Sequence, residues 1–396
     1  MAAMKEGPRE GLSEHAPLLI GGFVALCFLN ILNSAYSTVL AIIKDELTLS
    51  YTMSGALMSS YFVGYTMGQI PWGYLADRVG SRRAMTLSVI GIASSTMFLG
   101  LASDIWQAMA SRFFAGLLGA GVFVPSVRLV SSWFSPGERG TALGVLSVGG
   151  SVGLIVASWA APLITLRLGW RASMMIFGLL GILSSALMWQ TLRDRRSGGS
   201  SSGMRREMAG FLRTGSFWIL ALTQFIRLGS NYTFIAWLPL LLHEEYGFGL
   251  LQAGAALSVF NFAGMLSNPV GGFISDRVGE KRVLMVSFLA LALDVLLFAG
   301  VRTSLMIYVA AFILGWFMNF IRSPSFAILP KLYGVDAAGK VSGIHNTFAS
   351  VGALALPLLL GYIRDLTLSY RVGWMILSAL LLLGALINVF LRASPE

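Results

Sequence analysis

Apolar runs of about 20 residues recur along the chain, each long enough to cross the ~30 Å hydrocarbon layer of a bilayer as a helix. Twelve are read from the pattern. The first six cover 17–41, 52–75, 84–102, 105–133, 140–165 and 170–192. The second six cover 215–241, 250–273, 283–301, 305–330, 340–363 and 372–392. Between the two sets, Arg193, Arg195, Arg196, Arg205, Arg206 and Arg213 surround a Gly/Ser tract. Such a composition makes a flexible linker. The pattern therefore predicts an all-α membrane protein: a six-helix bundle over 1–192, a linker over 193–214 and a second six-helix bundle over 215–396.

The two sets repeat one another. Gly73, Asp77, Arg78, Gly80, Arg82 and Arg83 return as Gly272, Asp276, Arg277, Gly279, Lys281 and Arg282, at a single offset of 199 residues. The same offset carries Pro125-Ser126 onto Pro324-Ser325, and Gly144 and Gly153 onto Gly343 and Gly352. Unrelated apolar helices would not keep glycine and proline in register. Two pseudo-symmetric bundles, each with one charged turn, are the signature of a duplicated membrane carrier. The glycines read first as points where helices approach closely.

Composition agrees and charge adds an orientation. The chain is 56% hydrophobic and 12% charged, with a mean hydropathy of +0.75, against about 25% charged residues in a soluble domain. The net charge of +10 could suit nucleic acid, but the cations sit in short turns without a basic-aromatic surface motif. With the N-terminus inside, 18 of the 28 Lys and Arg fall in inner segments and 6 in outer ones. That bias places both termini in the cytoplasm and the protein in the inner membrane. The single cysteine, Cys27, forms no intramolecular disulfide and leaves the redox compartment unread. The first 16 residues are too acidic for a signal peptide, and no small-residue cleavage site follows the first run, so that run is expected to stay as helix 1.

The paired turns Gly73-Tyr-Leu-Ala-Asp77-Arg78-Val-Gly80 and Gly272-Phe-Ile-Ser-Asp276-Arg277-Val-Gly279 resemble the loops between helices 2 and 3, and 8 and 9, of the major facilitator superfamily. The stretch from Val124 to Gly140 resembles the end of helix 4 in its anion:cation symporter family, and Trp237-Leu-Pro239 is similar to that family's helix 7. The resemblance implies a cavity lined by helices 1, 4, 7 and 10, and a small anionic substrate moved together with protons. Helix 1 departs from the sugar-phosphate exchangers in carrying no arginine, and helices 2 and 8 lack the arginines of nitrate porters.

Four arginines lie within predicted spans: Arg112, Arg128, Arg227 and Arg322. A charge at the bilayer centre costs at least ~2.5 kcal/mol, so such residues face a cavity or a partner. All four fall on helices 4, 7 and 10. Arg227, Arg322 and Arg128 are the candidate anion contacts, with Asn33, Tyr36, Asn231, Tyr232, Asn319 and Asn346 as polar companions. Arg112 sits in a stretch that resembles the superfamily's helix 4 motif, which implies proton coupling or packing. His345 is the second coupling candidate, since imidazole titrates near physiological pH. Asp77, Arg78, Arg83, Asp276, Arg277 and Arg282 are the candidate gate residues. Asp294 is read as structural. No metal cluster, nucleophile–base arrangement or carboxylate pair is present, so neither enzyme activity nor a cofactor is expected. The expected protein is a monomeric secondary transporter of a small organic anion, proton-coupled and working by alternating access. An exporter on the same fold, or a flippase or membrane receptor, is the alternative. A cationic drug fits poorly, because helices 1, 4, 7 and 10 carry no carboxylate.

Overall fold

The computed structural model describes residues 15–135, 138–195, 212–298 and 303–391, with backbone only over 335–340. Most of the 193–214 segment and the first 14 residues lie outside it, as do 299–301 and 392 at the ends of two predicted spans. The described residues are helical throughout, apart from turns. In chain order the helices are α1 Ala16–Ser34, α2 Leu40–Glu46, α3 Tyr51–Val79, α4 Ser81–Leu101, α5 Ile105–Gly119, α6 Phe123–Trp133 and α7 Arg139–Thr191. They continue with α8 Gly215–Tyr246, α9 Leu250–Val278, α10 Glu280–Phe298, α11 Ser304–Phe320, α12 Arg322–Tyr333, α13 Val335–Thr367 and α14 Tyr370–Val389. A short 3-10 turn, Ser37–Val39, joins α1 to α2.

Each predicted span is helical where it is described, apart from breaks at 35–36, 120–122 and 321 and the ends of three spans, at 102, 192 and 390–391. Nine helical segments among the described residues are long and apolar enough to cross a bilayer. One of them, α7, is two legs joined at Gly169, whose φ of 84° breaks the helix. Positive φ is open to glycine without the steric cost a Cβ brings. The helices α3 and α10 fall outside the nine; each carries charges near the turns.

Local chemistry explains the ends. The side chain of Ser50 accepts a hydrogen bond from Met53 N at the start of α3, and Asp104 accepts from Gln107 N at the start of α5. Such caps satisfy amides that have no partner within the helix. Gly80 and Gly279, with φ of 93° and 91°, make the two equivalent charged turns. The repeated prolines also act alike. Pro125 and Pro324 each stand third in a helix, α6 and α12, that follows a break at 120–122 or at Ile321. Proline lacks the N–H that would bond one turn back, so the rod is interrupted there.

The repeat extends to contacts. Gly116 of α5 packs on the backbone of Tyr61 in α3, and its counterpart Gly315 packs on Phe260 in α9. Gly153 packs on Cys27, and its counterpart Gly352 packs on Phe225. The first half (α1–α7) and second half (α8–α14) are thus built on the same glycine seams, which give backbone-to-backbone approach where apolar side chains alone would hold helices apart.

The halves meet along two lines. Near α3 and α13, Ser59 Oγ donates to Leu354 O at 2.5 Å and Gln69 Nε2 to Ser350 Oγ at 3.3 Å. Near α7 and α9, Ser258 Oγ donates to Ile155 O at 3.5 Å. These lines run from the end that holds 46–51 and 246–250, here the far end, toward the end that holds the charged turns, here the linker end. Gln69–Ser350 is the last bond between halves in that direction among the described residues. Beyond it Gly144 and Gly343 face open space, with nothing within 4 Å of where a Cβ would stand.

Candidate functional site

Three arginines and four tyrosines gather midway along the seam. In the first half, Arg112 is sealed, at 1% exposure. Its Nη2 donates to Asn33 Oδ1 at 2.8 Å, and its guanidinium lies over the rings of Tyr36 at 4.1 Å and Tyr61 at 4.8 Å. Each cation–π contact of this kind stabilises a desolvated guanidinium by about 2 kcal/mol. Arg112 is therefore held on three sides by its own half.

The second half holds its arginines differently. Arg227 is 5% exposed. Its Nε donates to Gln224 Oε1 at 2.8 Å, and Gln224 Nε2 donates to Ser325 Oγ at 3.0 Å. Ser325 in turn donates to the carbonyl of Arg322 at 2.7 Å. One relay therefore ties α8 to the first turn of α12, where Arg322 sits. The terminal amino groups of Arg227 donate to nothing in the described protein, yet they are not fully buried. The same holds for every nitrogen of Arg322 and for the hydroxyls of Tyr65 and Tyr232. Tyr232 also meets Phe62 of the first half edge-on, with centroids 4.5 Å apart, and Tyr65 stacks on Tyr61 at 5.9 Å. No ion pair with a carboxylate forms at any of these arginines among the described residues. The arrangement can accept anionic oxygens.

Several predicted contacts stand elsewhere. Arg128 pairs with Asp77 at the linker end. Asn319 donates to Gly315 O at 3.2 Å, one turn back on its own helix. Asn231 and Asn346 are half-buried, and their side chains donate no hydrogen bond in the described protein. His345 is fully buried toward the linker end, its ring 4.8 Å from that of Phe217. Tyr61 and Tyr65 belong to the group but were absent from the expected list; aromatic residues in a long apolar helix carry no periodic signal that separates cavity from core.

The candidate gate residues also divide. Arg78 lies over Tyr74 at 4.3 Å, and its counterpart Arg277 over Phe273 at 4.1 Å. Arg83 and Arg282 are exposed and make no described bond. Asp77 is paired but exposed Asp276 is not. The reason lies in the repeat: the position equivalent to Arg128 is Ala327. The second half instead joins Glu280 to Lys331 at 2.8 Å.

The far end is densely bonded. Glu244 of α8 receives Lys44 at 3.2 Å, Tyr51 Oη at 3.0 Å and Tyr370 Oη at 2.8 Å. Asp365 accepts from Tyr51 N at 3.0 Å and Thr52 N at 2.7 Å, which caps α3 from the opposite half. Arg364 lies over Tyr51 at 4.5 Å.

The chain's similarities agree with this geometry. A family model described as Major Facilitator Superfamily matches residues 18–266 and 220–396. A probable sulfoacetate transporter of Cupriavidus necator is 26% identical, over 95% of this chain and 93% of its own length. The nitrite extrusion protein of Bacillus subtilis is 25% identical over 96% of this chain and 93% of its own, and a D-galactonate transporter of Escherichia coli is 25% identical over 93% of each. A crystal structure of a bacterial homologue of the human lysosomal transporter Spinster, inward-facing and unoccupied, superposes with a TM-score of 0.79 at 17% identity, covering 98% of this chain and all of that one. The chain belongs to the major facilitator superfamily and is a multi-pass inner-membrane transporter, not an enzyme.

Proposed function

We propose that this protein is a secondary active transporter that carries a small organic anion across the membrane by alternating access, coupled to protons. The observation that carries the reading is the pair Arg227 and Arg322, buried at the seam of the halves, with open N–H groups and no carboxylate partner. A buried charge without a partner is costly, and a site that tolerates it gains most when an anion arrives. Guanidinium groups bind carboxylates in two places at once. The transport of sulfoacetate, galactonate and nitrite by its relatives supports an anionic substrate.

On this reading the chain crosses the membrane twelve times as a monomer, with both termini and the linker in the cytoplasm. The present conformation is then open to the inside and closed outside. Tyr232, Asn231 and Asn346 complete the substrate path, with Arg128 at its inner mouth, while Asn33 and Tyr36 hold Arg112 and Asn319 is committed to its own helix. Arg112 and His345 couple the proton, and the charged turns around Asp77 and Asp276 brace the inner side when it closes.

Uptake into proteoliposomes tests the proposal. Labelled sugar acids and sulfonates should accumulate when the outside is acidified, and the gain should vanish with a protonophore. Arg227→Ala and Arg322→Ala, purified as monodisperse protein, should each lose about 2–5 kcal/mol of anion binding, tens- to thousands-fold in affinity. Unchanged binding in both variants overturns the anion site. Accumulation that ignores the pH gradient overturns the coupling alone.

A further inference from the structure

We infer that the substrate is a dianion, with two anionic groups, and not a monoanion. The inference rests on the anion-transporter reading of the same site.

Three observations carry it. First, the three central arginines are not equivalent. Arg112 is already engaged by Asn33, Tyr36 and Tyr61 and is sealed, so it offers no face to a ligand. Arg227 and Arg322 keep donors open, which leaves two positive charges uncommitted among the described residues. Second, the two positions are linked. The relay Arg227–Gln224–Ser325 ends on the residue that bonds the backbone carbonyl of Arg322, so the Arg227 guanidinium is tied to the turn that carries Arg322. Third, Arg322 is the first residue of α12, beyond the break at Ile321, so the positive end of that helix adds to its charge. Half-helix N-termini of this kind receive anionic groups in other carriers.

Charge balance then decides between ligand classes. A monoanion neutralises one guanidinium and leaves the second buried beside a like charge. A dianion neutralises both. The open hydroxyls of Tyr65 and Tyr232 remain free to bond substrate oxygens.

The test uses matched pairs in which one carboxylate becomes a hydroxymethyl group: glucarate against gluconate, sulfoacetate against isethionate, and succinate against γ-hydroxybutyrate. Calorimetric titration of the purified full chain in detergent gives each affinity. At least one dianion should bind tenfold or more tightly than its monoanion. In Arg322→Gln, which removes one charge and keeps a planar donor, that preference should fall below threefold, while Arg322→Lys should retain part of it. Circular dichroism and gel filtration establish that the variants are folded. A monoanion that binds as tightly as its partner, with binding still abolished in Arg227→Ala, overturns the dianion inference and leaves the anion reading standing. If no anion of either class binds, both are overturned.

Discussion

Arg227 depends on Gln224 for its aim. The Nε–Oε1 bond at 2.8 Å fixes the guanidinium plane, and Ser325 fixes the glutamine amide. Losing a bond to a charged group typically costs about 1.5–3 kcal/mol. Gln224→Ala should therefore weaken anion binding about tenfold, less than Arg227→Ala, with folded yield maintained. Titration of the two variants side by side checks this; equal losses would show that Gln224 does more than orient its neighbour. Arg112 should behave oppositely. It is enclosed by Asn33 and two aromatic faces, and removing a partner leaves a buried charge uncompensated. Asn33→Leu should lower the melting temperature and turnover more than it lowers equilibrium binding. The presence of arginines on helices 4, 7 and 10 was legible in the sequence, because a cation in an apolar run stands out. Which of them stayed open was not. That depends on partners such as Tyr61 and Gln224, brought in by helices elsewhere in the chain.

At the level of helices, the repeat was legible to the residue, since glycine and proline mark backbone events that side-chain drift does not erase. Gly116 and Gly315 serve one contact twice, and Pro125 and Pro324 open one break twice. The charged turns look equally symmetric in sequence, but their bonding is not. Asp77 reaches Arg128, whereas the second repeat has Ala327 in that place and uses Glu280–Lys331. The partner lies some 50 residues from the turn, beyond any local motif. Asp77→Asn should then change the uptake rate more than Asp276→Asn does. An ion pair this exposed is worth at most about 1 kcal/mol, so the shift should be no more than about fivefold. Uptake at saturating substrate measures it. Equal effects of the two substitutions would mean that both aspartates act in a conformation other than this one.

Across the whole molecule, the two ends of the seam contrast. At the far end the halves touch through glycine: a Cβ on Gly55 would stand 2.6 Å from Pro357 O, and one on Gly254 or Gly361 would overlap the opposite backbone. At the linker end Gly144 and Gly343 face nothing. On the alternating-access reading proposed above, this is one of two states, and the uncovered glycines are the surface on which the other closes. Which end would be shut was not legible from the sequence, because a duplicated chain encodes both seams and the choice rests on a small free-energy difference between them.

On that reading, Glu244, where Lys44, Tyr51 and Tyr370 converge, is expected to favour the state described here. If it does, the empty carrier is held by this knot with its binding site turned to one compartment, and its unloaded return is the expected slow step of the cycle. Vesicles preloaded with unlabelled substrate should then take up label faster than empty ones, because the loaded carrier returns without waiting. Glu244→Gln should loosen the knot and shrink that acceleration toward unity. Countertransport and net uptake, measured in the same vesicle preparation, would show whether this carrier works chiefly as an exchanger.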